Sequence, residues 1–135
     1  MDKELVLTGK IVSGVGKAAF FTQLDWVQDQ CEEKYDFRPY PGTLNLEIKE
    51  DGLSVIEALQ NRPATELIPT DPNFCTARTL PVSLGSQKGI IIIPAEDVRV
   101  HGKNIVEIMA AVRIKDMLNV NDGDVITVLV KDPGE

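Results

Sequence analysis

The chain has 135 residues, enough for one domain with a real hydrophobic core and no need of disulfide staples. Hydrophobic residues make up 43% of it, yet no apolar run approaches the roughly 18 residues of a membrane helix, and Met1-Asp2-Lys3-Glu4 lacks the pattern of a signal peptide. A net charge of −7 disfavours nucleic acid, and two widely spaced cysteines, Cys31 and Cys75, fit free thiols in a reducing cytoplasm better than a disulfide.

Glu4 to Ser13 reads as the first strand, carrying Leu5, Leu7, Ile11 and Val12. Gly14-Val15-Gly16-Lys17 breaks it. Phe20, Leu24, Val27 and Cys31 then recur at helical steps, with Gln23, Gln30 and Glu33 on the polar face. Asp36 to Gly42 is turn, and Thr43 to Lys49 is strand. Leu53 to Gln60 fits a short helix, and Asn61 to Asn73, with three prolines, fits a loop. Phe74 to Leu84 is strand-like, and Pro81 within it points to an edge or a bulge. Gly85 to Gly89 turns into Ile90-Ile91-Ile92-Ile93, a buried strand closed by Pro94. Asn104 to Ala110 is a further strand and Val112 to Leu118 a short helix. Asp122-Gly123-Asp124 turns into a last strand, Val125 to Val130. Many short strands and few helices imply a mainly β protein, a small closed barrel with helical decoration, in one domain over residues 1–135.

Four features carry chemistry. Pro39-Tyr40-Pro41-Gly42 drives a tight turn into a strand on which Thr43 and Asn45 share a face, by the period of two. Their side-chain oxygens either form an ordinary polar strand face or offer hard ligands of the kind magnesium takes together with water and phosphate. Gly14-Val15-Gly16-Lys17, between strand and helix, is either a plain turn or a backbone cradle for an anion, and it does not fit a Walker loop. Glu107 is a lone carboxylate in an apolar strand, facing either solvent or a site where it would accept a proton. Arg113 and Lys115 either neutralise phosphate or form the wet face of a short helix. His101, the only histidine, sits in a loop, where a lone histidine is usually a polar surface residue and less often a catalytic one. There is no Cys/His cluster of zinc spacing, no Ser-His-Asp signature and no basic stripe.

In this order the segments resemble the archaeal-type CTP-dependent riboflavin kinases. The resemblance opens at Gly9-Lys10-Ile11-Val12-Ser13-Gly14-Val15-Gly16. It is strongest over Phe37-Arg38-Pro39-Tyr40-Pro41-Gly42-Thr43-Leu44-Asn45-Leu46. It returns at Gly89 to Pro94 and from His101 to Ala110, and closes at Leu118 to Val125. It implies a cradle-loop type β-barrel that moves a phosphoryl group from CTP to riboflavin, giving FMN and CDP, with magnesium as cofactor. Thr43 and Asn45 would be the metal ligands. Gly14, Val15, Gly16, Lys17, Ala18 and Ala19 would hold the nucleotide from one side, and Val112, Arg113, Ile114 and Lys115 from the other. Arg99 and Glu107 would bind the flavin, and Glu107 would meet the ribityl hydroxyl as base.

The chain departs from the family pattern at Lys17, where an acid is usual, and at Ala18, where a glycine is usual. It departs again at Arg99, at a segment before His101 that is two residues longer, and at Ala111. Lys17 either points into water and solubilises the turn or reaches the nucleotide phosphates. The competing expectations are a flavin- or nucleotide-binding barrel without turnover, favoured by the altered loop, and a DNA-binding barrel of the swapped-hairpin kind, which the acidic charge opposes.

Overall fold

A computed structural model describes residues 5–13, 18–48, 53–93 and 105–131. Seven strands and four helices follow in the order β1 (Leu5–Val12), α1 (Ala18–Thr22), α2 (Asp25–Tyr35), β2 (Leu44–Ile48), α3 (Leu53–Gln60), β3 (Thr65–Leu67), β4 (Ala77–Leu84), β5 (Gln87–Ile92), β6 (Ile105–Ala110), α4 (Ile114–Leu118) and β7 (Val125–Val130). The sheet order is β3-β4-β5-β6-β2-β1-β7, and β7 returns to pair with β4. Six antiparallel strands thereby close into a barrel, with β3 appended outside it. Closure leaves no open edge on the barrel itself.

Alternation on the strands fills the interior. Leu7 and Ile11 of β1, Leu44, Leu46 and Ile48 of β2, Val106, Ile108 and Ala110 of β6, and Val128 and Val130 of β7 form one core, joined by Ile56 and Leu59 of α3 and Ile114 of α4. Arg78 fixes α3 by donating to the carbonyls of Gln60 and Arg62 at the helix end, at 3.0 and 2.9 Å. The isoleucine run is apolar throughout because both of its faces are covered. Ile91 and Ile93 belong to the barrel core, whereas Ile90 and Ile92 face outward under α2. There Trp26, Val27, Cys31, Leu67 and Met109 complete a second core.

Several expectations need correction. The helical period from Phe20 to Cys31 is interrupted, because backbone bonds from Gln23 to Phe20 and from Leu24 to Phe21 end α1 before α2 starts. Phe20 is consequently 64% exposed instead of buried. The proline-rich loop contains β3, whose three residues pair with Ala77, Arg78 and Thr79. The strand after it starts at Ala77 rather than Phe74. The turn before the isoleucines is only Gly85-Ser86, with Gly85 at φ 64°, and the strand resumes at Gln87. The helix expected from Val112 begins at Ile114.

Pro81 sits in the middle of β4 for a local reason. β3 covers one side of β4 up to Thr79, and β7 takes over only at Val82. The Pro81 carbonyl accepts from the Lys131 backbone N–H at 2.8 Å on that side, so the missing Pro81 donor forfeits only one ladder bond, just past the end of β7 at Val130. No helix among the described residues is long and apolar enough to cross a membrane.

Candidate active site

The turn before β2 is held from beneath by α1 and α2. Gln28 donates from Nε2 to the Pro39 carbonyl at 2.9 Å, and the Gly42 N–H donates to Oγ1 of the buried Thr22 at 2.8 Å. The Tyr40 N–H reaches the Ala110 carbonyl at 2.7 Å and so continues the β2–β6 ladder past the strand end. Gly42 takes φ 112°, a left-handed value that a side chain would resist, and this delivers Thr43 to the outer face.

Asn45 and Glu107 are direct partners across β2 and β6, and their neighbours Leu44, Leu46, Val106 and Ile108 all point inward. Asn45 and Glu107 therefore share the outer face, both half-buried. Thr43 joins them, its hydroxyl donating to Oε1 of Glu107 at 2.8 Å. With its proton committed to Glu107, the Thr43 hydroxyl oxygen keeps its lone pairs for another partner, and Asn45 adds an amide oxygen on the same strand face. These hard, short-armed oxygens fit magnesium and not a thiolate-seeking metal. Among the described residues no cluster of three or more His, Cys, Asp or Glu offers an alternative metal centre. Oε2 of Glu107 carries no hydrogen bond to a described residue.

Next to this trio opens a cleft of about 150 Å3, walled by Tyr40 to Leu44 on one side and by Val112 to Lys115 on the other. The two cations at its rim are already paired. Arg113 contacts Asp116 at 2.6 Å, and Lys115 contacts Oδ1 of Asp122 at 2.5 Å. Oδ2 of the same Asp122 accepts from the Ser13 hydroxyl. The hydrogen bond from Lys115, then that from Ser13, hold the Asp122 carboxyl below its usual pKa. Ile114 also lines the cleft and is buried against the barrel core.

On the other flank lies an aromatic group. Ile92, the register partner of Glu107 on β5, packs against the outer core that includes Phe21 and Phe74. The exposed Phe20 ring lies at 6.5 Å from Phe74 and 27° from parallel with it, and Phe21 meets Trp26 edge-on at 5.8 Å.

The structure thus brings Thr43, Asn45 and Glu107 together and sets Val112 to Lys115 across a cleft from the Pro-Gly turn. Gly14, Val15, Gly16, Lys17, Arg99 and His101 lie outside the described residues. Ala18 opens α1, and the Ala19 carbonyl accepts from Thr22 Oγ1 and Gln23 Nε2 at 3.2 and 2.7 Å. Sequence reading missed Ser13, Asp122, Phe20 and Phe74. Phe20 belongs to a helical period, so nothing local marks it as exposed, and nothing local marks Asp122 as facing Ser13.

Residues 11–130 match a family model labelled for CTP-dependent riboflavin kinases and described as a domain of unknown function, DUF120. A protein named riboflavin kinase in Methanobrevibacter smithii is 32% identical over 123 residues, covering 90% of this chain and 97% of that one. Riboflavin kinases of Methanosarcina barkeri and Pyrobaculum aerophilum are 31% and 30% identical, over 96% and 90% of this chain. The chain spans only 58% and 59% of the length of these last two.

Proposed function

This chain belongs to the CTP-dependent riboflavin kinase family, and from that membership we propose that it transfers the terminal phosphoryl group of CTP to the primary ribityl hydroxyl of riboflavin, giving FMN and CDP. The observation that carries the reading is the placement of Glu107, across the ladder from Asn45 and hydrogen-bonded to Thr43, which itself lines the open cleft.

Oε2 of Glu107 takes the hydroxyl proton as the substrate oxygen attacks the terminal phosphorus. The bond from that phosphorus to the bridging oxygen breaks, and the electron pair leaves with CDP. Thr43, through its hydroxyl, holds the carboxylate in place. Thr43 and Asn45 would also hold a magnesium ion, which when bound neutralises phosphate charge. Residues 14–19 and 112–115 grip the nucleotide from two sides. The flavin ring is flat and largely apolar. The Phe20–Phe74 group, next to Ile92, is the wall that suits it. Positioning and charge neutralisation supply most of the rate in phosphoryl transfer, and this arrangement provides both.

The altered Gly14–Ala18 loop favours a second reading, a flavin- or nucleotide-binding barrel without turnover. Incubation with riboflavin, magnesium and each nucleoside triphosphate in turn, with FMN read by chromatography, separates the two. FMN formed best with CTP is the expected result. Flavin bound but no FMN with any nucleotide would leave only the binding module.

A further inference from the structure

Ser13 and Lys115 are about 100 residues apart in sequence, yet one carboxylate bonds both. Asp122 accepts from Ser13, the residue immediately before Gly14, and from Lys115, which lines the cleft. Its own position is fixed by the backbone. The Gly123 N–H donates to the Ile11 carbonyl and the Ile11 N–H to the Asp124 carbonyl, both at 2.8 Å. The turn is closed by the Asn121 N–H on Oδ2 of Asp124 at 2.8 Å, and Gly123 takes the left-handed φ of 94° that the reversal requires. A carboxylate on so constrained a turn can set the spacing of whatever it holds.

We propose that Asp122 is a positioning residue for the nucleotide. It holds Lys115 at the rim of the cleft through one carboxylate oxygen, while Ser13 at the end of β1 bonds the other, so that the ammonium is in place before the ligand arrives. The inference rests on the proposed CTP-dependent kinase function. Lys115 meets the phosphates as part of a preset pair with Asp122, and Ser13 steadies that pair without touching the ligand.

The sign of one effect separates this role from mere proximity. A bystander carboxylate beside a polyphosphate repels it, so by Coulomb's law alone its neutralisation tightens binding. A positioning carboxylate does the opposite. Calorimetric titration of CDP with magnesium into wild type, Asp122→Asn and Ser13→Ala is paired with the KM values for CTP and riboflavin. Asp122→Asn is expected to weaken CDP about tenfold, the scale of one hydrogen bond to a charged group. Ser13→Ala, which changes no charge, is expected to weaken it about threefold, near the lower end for a net hydrogen bond. KM for CTP should rise in both, with KM for riboflavin unchanged. Unchanged or tighter CDP binding in Asp122→Asn overturns the proposal, as does a parallel rise in both KM values. Wild-type protein that binds no CDP would instead remove the kinase reading on which the proposal rests.

Discussion

Glu107 and Met109 lie two residues apart on β6 and point off the same outer face of the barrel, yet their surroundings are opposite. Met109 is fully buried beneath Trp26, Val27 and Cys31 of α2. Glu107 is half-buried, faces Asn45 and bonds to Thr43. The strand treats both alike, and the difference lies in the cover. α2 runs over one half of the face and seals it dry, while its N-terminal neighbour α1 stops at Thr22 and props up the turn that brings Thr43 to the other half. A barrel face becomes a site where the helix layer ends and a polar trio replaces it.

The sharpest way to break that comparison is at the uncovered half. Glu107→Gln keeps the shape and should lower turnover by about 10²- to 10⁴-fold with little change in flavin affinity, as expected for loss of a general base. Steady-state FMN formation set beside flavin titration checks it, and equal losses in both would assign Glu107 to positioning alone.

At the covered half the expected loss is in stability. Met109→Ala opens a cavity under α2 and should cost about 2–5 kcal/mol in denaturant unfolding, the usual range for truncating a buried methionine. Per folded molecule, turnover should be little affected. If Met109→Ala abolished turnover in a folded protein, the two halves would not be separate.

Asn45→Ala removes one of the two proposed metal oxygens and should reduce turnover roughly 10²-fold, the scale of one preorganised electrostatic contact. The loss should be greatest at limiting magnesium. Unchanged FMN formation there would show that Asn45 holds no metal.

The smallest effect concerns the thiol under α2. Desolvation lifts the Cys31 pKa from 9.0 to about 11, an effect that Lys34 only partly opposes. The folded thiol therefore holds its proton to higher pH than the unfolded one. Its stabilising contribution is complete below pH 9 and is lost as pH rises towards 11. Thermal midpoints at stepped pH should fall across that window. Alkylation below it should modify the exposed Cys75 at once and Cys31 only on unfolding. Equal rates for both cysteines would mean that the covered half is not dry.

Much of this was readable from local pattern. α3 and β7 fall at the expected residues, because Leu53 to Gln60 and Val125 to Val130 have punctuation at both ends. The apolar run at Ile90 announced burial on both faces, and Thr43, Asn45 and Glu107 do meet. What failed to show was whatever depends on distant partners. Pro81 is tolerated because β3 and β7 divide one side of β4 between them, and neither strand is its neighbour in sequence. Phe20 fits a helical period that the break at Gln23 cuts short. Asp122 looked like turn punctuation, since its partners Ser13 and Lys115 are visible only once β1 and the last turn lie side by side.

The barrel closes through its first and last strands, with Leu5 opposite Val130. During synthesis β1 emerges before the other strands of the barrel and must wait for β7 before it has its second neighbour. Loop-closure entropy must be met before that pairing returns anything, so the ring is expected to seal late and slowly. Until it does, β1 and β4 each present an unpaired edge. The interval between translation of β6 and of β7 is therefore the period in which a nascent chain of this protein is most open to pairing with another copy of itself.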